Sequence, residues 1–528
     1  MSLAELSQQA GKVESIEMQC DYIENPLLAF QTLCHQRKNA LLLESAEIES
    51  KDSINSMILV DAAVKVVCNG HQVNCTALTE NGQQVLPVIQ QHLSQFISQQ
   101  SQTSLQLTFP EPDNDLDEDT KLKQTSVFDV LRVLQNALVP LRENPLSIFV
   151  GGTFAYDLYA SFEPIQDVPQ GPNTCPDYVF YLAETLIHID HQQRSTEIIG
   201  SVFSGKAVAN SYFAISQRLE KIKQVISELT PIDEVITSPV TTLDMRENQS
   251  DDVYCNNVLR LRENILAGDI FQVVPSRTFS LPCPAPFKAY AQLKQNNPSP
   301  YMFYIQDEDF AIFGASPELA VKYEKQSNQV EVYPIAGTRP RGKRANGEID
   351  PDLDSRIELT LREDNKEKAE HIMLVDLARN DIARVSEAGT RYVRDLLKVD
   401  RYSHVMHLVS RVVGQLRHDL DALHAYQACM NMGTLVGAPK VRAAQLIRDV
   451  EGERRGSYGG AVGFFTGKGD LNTCIVIRSA FVKDQVAHVQ AGAGVVYDSI
   501  PQSEADETRS KAQAVISAIL QSHAQQQG

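Results

Sequence analysis

The 528-residue chain contains no tryptophan, an unusual gap at this length. It also lacks any apolar run approaching a membrane span, and its N-terminus joins no basic start to an apolar stretch. Membrane insertion and export are therefore not expected, and a cytoplasmic protein is. Its nine cysteines have neither metal-type nor disulfide-framework spacing, which suits small core residues in a reducing compartment and offers no zinc site. Positive charge is in deficit: 48 Lys and Arg face 67 Asp and Glu, a formal net charge of -19. That balance argues against a general nucleic-acid binder. It also means that a pocket for an anionic substrate must carry its own positive charge.

The 43% hydrophobic and 22% charged content is that of a soluble globular protein, long enough for two domains or one large one. Alternating β-branched residues predict a strand over Met57 to Val67, and FPEPDNDLDEDTKLKQ, Phe109 to Gln124, reads as an exposed loop. Val127 to Leu141 and Ser211 to Leu229 read as helices, and Leu146 to Tyr159 as a buried strand entering a glycine turn. Thr230 to Ser250, with two prolines and no apolar period, is the candidate linker, dividing the chain into 1–245 and 246–528. Beyond it, helices alternate with apolar strands at Phe310 to Phe313, Gln329 to Pro334, Gly459 to Phe465, Asn472 to Val482 and Ala487 to Val496. No internal repeat is evident, and the mixture predicts α+β layers rather than a doubly wound parallel sheet.

Two acidic clusters stand out, Glu363 to Asp381 (EDNKEKAEHIMLVDLARND) and Gly492 to Thr508 (GAGVVYDSIPQSEADET). Glu367 with Glu370, and Glu504 with Glu507, lie three residues apart in predicted first helical turns, so each pair shares a face. Four converging carboxylates suit a hard divalent cation, magnesium rather than calcium or zinc. Lys366 and Lys511, four residues from Glu370 and Glu507, allow a plainer reading as solvated, charge-paired helix faces, and Ser503 with Asp506 resembles a capping box.

Other residues carry chemical options. Arg478 interrupts the apolar run LNTCIVIRSAFV, where a guanidinium needs an anionic partner, either an ion pair or a substrate carboxylate. Gly492, Ala493 and Gly494 close the next strand, where glycine admits close ligand approach or a turn. Tyr458 in RGSYGGAVG is a candidate hydrogen-bond donor or a packed ring. Glu318 in GASPELAV could act as an acid if desolvated, or cap a helix. His404 and His407 in YSHVMHL fit core histidines as well as catalysts. Alone, PIAGTRPRG, Pro334 to Gly342, is a weak anion-binding signal.

Taken in order, PIAGTRPRG, KEKAEHIMLVDLARND, YSHVMH, MGTLVGAPK, GSYGGAVG, IVIRSA and GAGVVYDSIPQSEADETRSK resemble the chorismate-utilising enzymes, and among them the anthranilate synthase large-subunit family. LLLESAEIESKD, Leu41 to Asp52, and NPSPYMFY, Asn297 to Tyr304, extend the likeness over nearly the whole chain. The resemblance implies an α/β architecture of packed sheets beneath outer helices, with the active site in the C-terminal portion. It implies Mg2+ held mainly by Glu370 and Glu507, with Glu367 and Glu504 beside them, at the ring carboxylate of chorismate. Arg478 and Tyr458 match the grip on the enolpyruvyl carboxylate. Gly337, Thr338, Thr434, Gly492, Ala493, Gly494 and Lys511 match other substrate contacts. Glu318 matches the acid that protonates the departing hydroxyl, and His407, with Thr338, matches catalytic positions.

Relatives that add water carry a lysine base where Gln272 stands, and those that aminate C4 carry a lysine nucleophile where Ala336 stands. Ammonia addition at C2 is the reaction left, with an aminodeoxychorismate synthase component as the alternative. No amidotransferase domain is visible, so a separate glutamine amidotransferase subunit is implied, in a hetero-oligomer expected to be a heterotetramer. The resemblance further implies inhibition by tryptophan at Leu43, Glu44, Ser45, Pro300, Tyr301 and Met302, with Cys474 nearby. A chain without tryptophan could then be made during tryptophan shortage.

Overall fold

The computed structural model describes residues 3–45, 54–113, 115–229, 244–344, 346–402 and 405–524. Most of the proposed linker, the end of LLLESAEIESKD, and His404 lie outside them. Among the described residues all strand pairs are antiparallel but one, which joins Lys12–Cys20 to the two-residue strand Val139–Pro140.

Two long strands, Asn55–Asn69 and Tyr178–Asp190, pair with each other along most of their length and join two leaves of sheet. One leaf runs outward through Ala40–Glu44, Tyr301–Gln306, Ala311–Ser316, Ser479–Lys483, Val486–Gly492 and Ser276–Pro282. The other runs through Phe149–Phe154, Ala461–Thr466, Leu471–Ile475, Leu319–Glu324, Gln329–Val332 and Val405–Gln415. Strand alternation explains the layering. Val179, Tyr181 and Ala183 enter an apolar core with Leu41, Phe303, Val462 and Phe481, residues drawn from both leaves. On the opposite face, Tyr178, Phe180 and Leu182 join a second core with helical residues such as Leu131, Ile382 and Ile447, while Ile187 and Ile189 join a third with Ile215, Leu293 and Val515. Sheets packed face to face beneath outer helices is thus the observed α/β architecture.

Several local readings change. Gly151 and Gly152 lie within the strand Phe149–Phe154 instead of forming a turn, because a Cβ on Gly152 would lie 2.1 Å from the Val179 carbonyl oxygen. The helix expected from Val127 to Leu141 is confined to Asp129–Asn136, and Val139 pairs with Lys12 as strand. The segment read as a loop from Phe109 to Gln124 contains a short helix, Glu118–Leu122, capped by Asp117, with Phe109 and Leu122 buried. The apolar run from Asn472 to Val482 is two strands, Leu471–Ile475 and Ser479–Lys483. The helix Pro501–Ala524 already includes Ser503, so Ser503 and Asp506 form no capping box.

Candidate active site

Glu318 sits between the strands Ala311–Ser316 and Leu319–Glu324, so it caps no helix. It is buried, Thr434 Oγ1 donates to its Oε1 at 2.9 Å, and burial pushes its pKa up to about 8 against the opposing pull of that hydrogen bond and the Lys511 charge. A carboxyl in this state holds its proton near neutrality, the requirement for a general acid.

The strand Ile335–Pro340 brings Gly337 and Thr338 opposite His407 on Val405–Gln415, with the register shifting between Ala336 and Thr338. Thr338 Oγ1 lies 2.9 Å from His407 Nδ1. Burial, then the Arg478 charge, lowers the His407 pKa to about 4, so the imidazole is neutral at physiological pH. Gly337 has φ +74°, and a Cβ there would lie 3.0 Å from Glu367 Oε2.

Arg478 occupies the break between two strands with φ +48°, not the interior of one strand as the sequence suggested. Its main chain still takes part in the sheet, accepting a hydrogen bond from Ala315 N. Surrounding protein lowers its pKa, and no carboxylate among the described residues pairs with its guanidinium. Of the two options left open by the sequence, an internal ion pair is therefore excluded among those residues, and an anion receptor remains.

On the facing side, Lys511 Nζ donates to the Gly492 carbonyl at 3.0 Å and pairs with Glu507 Oε1 at 2.7 Å. The Tyr458 hydroxyl is buried beside Gly492, where a Cβ would lie 3.2 Å away. Ala493 is buried, and a Cβ on Gly494 would crowd Gln272 Nε2 at 2.7 Å. Sequence reasoning missed Arg455, whose fully buried guanidinium holds Glu451 and the carbonyls of Leu435 and Val274 and lies over the Tyr156 and Tyr458 rings. The RRG run just before Tyr458 was its only sequence signal.

Glu367 and Glu370 lie in the first turns of Asn365–Val385, capped by Asp364, and Glu504 and Glu507 in those of Pro501–Ala524. Burial raises the Glu370 pKa to about 7, and the charges of Glu367, Glu504 and Glu507 add to the shift over the opposing pull of Lys366. The charges of the two clusters thus reach one another. No three acidic, histidine or cysteine side chains close to metal-holding geometry among the described residues; Glu367 bonds Arg339 at 2.8 Å and Glu507 bonds Lys511. An oxygen-only donor set under mutual repulsion fits a hard cation.

Leu43, Glu44, Ser45, Pro300, Tyr301, Met302 and Cys474 all line one cavity of about 330 Å³ between the leaves. Glu44 is buried there, accepting from the Tyr290 hydroxyl at 2.5 Å and paired with Lys294.

The family model for chorismate binding enzymes matches residues 74–517. The chain belongs to this family. It is 57% identical over 516 residues to anthranilate synthase component 1 of Vibrio cholerae, covering 98% of each chain. To the component 1 of Escherichia coli it is 55% identical over 518 residues, again covering 98% of each. Among solved structures, anthranilate synthase component I of Streptococcus pneumoniae superposes with a TM-score of 0.65 at 28% identity, covering 93% of this chain and 97% of that one. The menaquinone-specific isochorismate synthase of Escherichia coli, at 17% identity and a TM-score of 0.64 over 98% and 97% of the two chains, shares the fold.

Proposed function

We propose that this chain is the chorismate-converting component of an anthranilate synthase, adding ammonia at C2 of chorismate and releasing anthranilate and pyruvate. The observation that carries the reading is an acid kept protonated by burial, Glu318, with Lys511 acting on it and pairing with Glu507, and a guanidinium, Arg478, that acts on His407 and pairs with no carboxylate among the described residues. Such a site receives a dicarboxylate that must lose a hydroxyl.

Arg478 and the Tyr458 hydroxyl hold the enolpyruvyl carboxylate, and Gly492 to Gly494 let the substrate approach the main chain closely. The nitrogen lone pair forms the C2–N bond, the ring double bonds shift, and the C4–O bond breaks. The Glu318 proton goes to the departing oxygen, giving water. The added ammonium group gives up a proton to solvent; the C2 proton then leaves, its electron pair completes the aromatic ring as the bond from ring C3 to the enolpyruvyl oxygen breaks, and the departing enolpyruvate takes a proton at its methylene carbon, giving anthranilate and pyruvate, with this second step assigned to the His407–Thr338 pair. Glu370 and Glu507, with Glu367 and Glu504, would hold Mg2+, which when bound supplies charge neutralisation and Lewis acidity at the ring carboxylate.

Gln272 supports ammonia over water as nucleophile, since an amide takes no proton at neutral pH, and Ala336 offers no amine for the C4 route. Nitrogen would come from a partner glutamine amidotransferase. The cavity with Glu44 and Met302 would take tryptophan as inhibitor, Glu44 facing its ammonium group. The 1–245 segment would carry Leu43 to Ser45 of that site, and 246–528 the catalytic groups.

Incubating the protein with chorismate, magnesium and ammonium tests the reading. Fluorescent anthranilate and an equivalent of pyruvate are expected. A 4-amino product, or isochorismate, would overturn it.

A further inference from the structure

The 330 Å³ cavity and the catalytic centre share a wall. Along Pro317–Leu319, Pro317 and Leu319 line the cavity while Glu318 receives the Thr434 hydroxyl. Just past the end of the strand Tyr392–Arg401, Tyr402 joins that wall. It lines the cavity, is 6% exposed, and meets the His407 ring edge-on, with centroids 5.2 Å apart and planes at 68°.

The two ends of this side chain differ in how they are satisfied. The main chain is pinned: Tyr402 N donates to Val405 O at 2.8 Å, and Arg341 Nη1 donates to the Tyr402 carbonyl at 2.5 Å. The buried hydroxyl has no hydrogen-bond partner among the described residues. Nearby Tyr333, by contrast, gives its hydroxyl to Asp400. Burial, followed by the charges of Asp400, Tyr301 and Glu318, raises the Tyr402 pKa, so the hydroxyl is a proton donor at any working pH. Asp400, Tyr301 and Arg411, which surround it, all line the cavity. A buried donor without a partner costs free energy that a polar ligand atom in the cavity recovers.

We propose that Tyr402 is a positioning residue shared by the two sites, its hydroxyl binding a polar group of the cavity ligand while its ring sets the plane of the His407 imidazole against Thr338. A ligand that moves the ring to reach the hydroxyl draws His407 out of register, and linkage requires the effect to run both ways. The ligand class, a free amino acid with an aromatic body, rests on the reading of the cavity given above.

Because the chain has no tryptophan, the fluorescence of bound L-tryptophan is read without protein background. Wild type, Tyr402→Phe and Tyr402→Leu are compared for L-tryptophan affinity and for kcat and KM with ammonium and magnesium. Tyr402→Leu is expected to lose about tenfold in kcat with little change in KM, and Tyr402→Phe, which keeps the ring, to recover most of that loss. Tyr402→Phe is also expected to bind L-tryptophan about tenfold more weakly and to retain most of its rate at saturation. Unchanged kcat in Tyr402→Leu overturns the positioning of His407. A Tyr402→Phe protein bound and inhibited like wild type overturns the role of the hydroxyl. Failure of the wild-type protein to bind L-tryptophan overturns the reading of the cavity instead, and the two kcat values still decide the role of the ring.

Discussion

Thr338 and His407 face each other across an antiparallel register, hydroxyl to Nδ1 at 2.9 Å, and the contact ties one ring nitrogen of the imidazole to the neighbouring strand. Replacing Thr338 by Val keeps the shape and removes the bond. A fall in kcat of about 10- to 100-fold is expected, with Thr338→Ser restoring most of it. Steady-state anthranilate fluorescence reads the outcome, and equal rates for Val and Ser would remove the hydroxyl from the mechanism.

Glu318 predicts a pH profile. With its pKa raised to about 8, the acid form dominates below that pH and turnover falls as pH rises through it. Thr434→Val removes a bond that favours the carboxylate, so the alkaline limb is expected to move upward. The same shift has a stability sign. Below the unfolded pKa near 4.5 both states are protonated; between there and about 8 the unfolded chain ionises while the folded one does not, and stability is lost with rising pH. Glu318→Gln is therefore expected to be more stable than wild type above about pH 5, by about 1–4 kcal/mol near pH 8, in urea melts compared across pH. Parallel pH dependences of the two proteins would contradict this.

Arg478 is expected to trade stability for binding. Its partly buried guanidinium has no partner carboxylate among the described residues, so Arg478→Met is expected to stabilise the free protein by about 1–3 kcal/mol while raising KM for chorismate strongly. Both side chains meet the same φ of +48°, which leaves charge as the main difference. A destabilised Met variant in a thermal melt would show that the guanidinium has an internal role.

The carboxylates should respond to a cation as a unit. Chelation is expected to abolish turnover and magnesium to restore it. Added magnesium with chorismate should raise the melting temperature of wild type but not of Glu370→Gln or Glu507→Ala, following the mass action of binding to the folded state. An equal rise in all three proteins would place the cation elsewhere.

The glutamate pairs and the family likeness were legible beforehand because their cues are local. Glu367 and Glu370 share a helix face through spacing alone, and ordered motifs such as PIAGT and GAGVVYDS carried the family likeness. Arg455 was not legible, since its importance comes from carbonyls at Leu435 and Val274, 20 and 181 residues away. The glycines at 151 and 152 misled for a related reason: their lack of a Cβ serves a strand that packs against Val179 and Phe180, which no local pattern reveals.

By itself the amino-acid order determined the charge deficit, the two glutamate pairs on their helices and the alternation that gives each strand two apolar faces, all properties of neighbours along the chain. Only the tertiary structure decided that Glu318 keeps its proton, that Arg478 stands in a strand break with no paired carboxylate among the described residues, and that Pro317 and Leu319, on either side of Glu318, line the cavity. Desolvation and charge coupling arise from groups brought together across hundreds of residues, so they exist only once the leaves have closed.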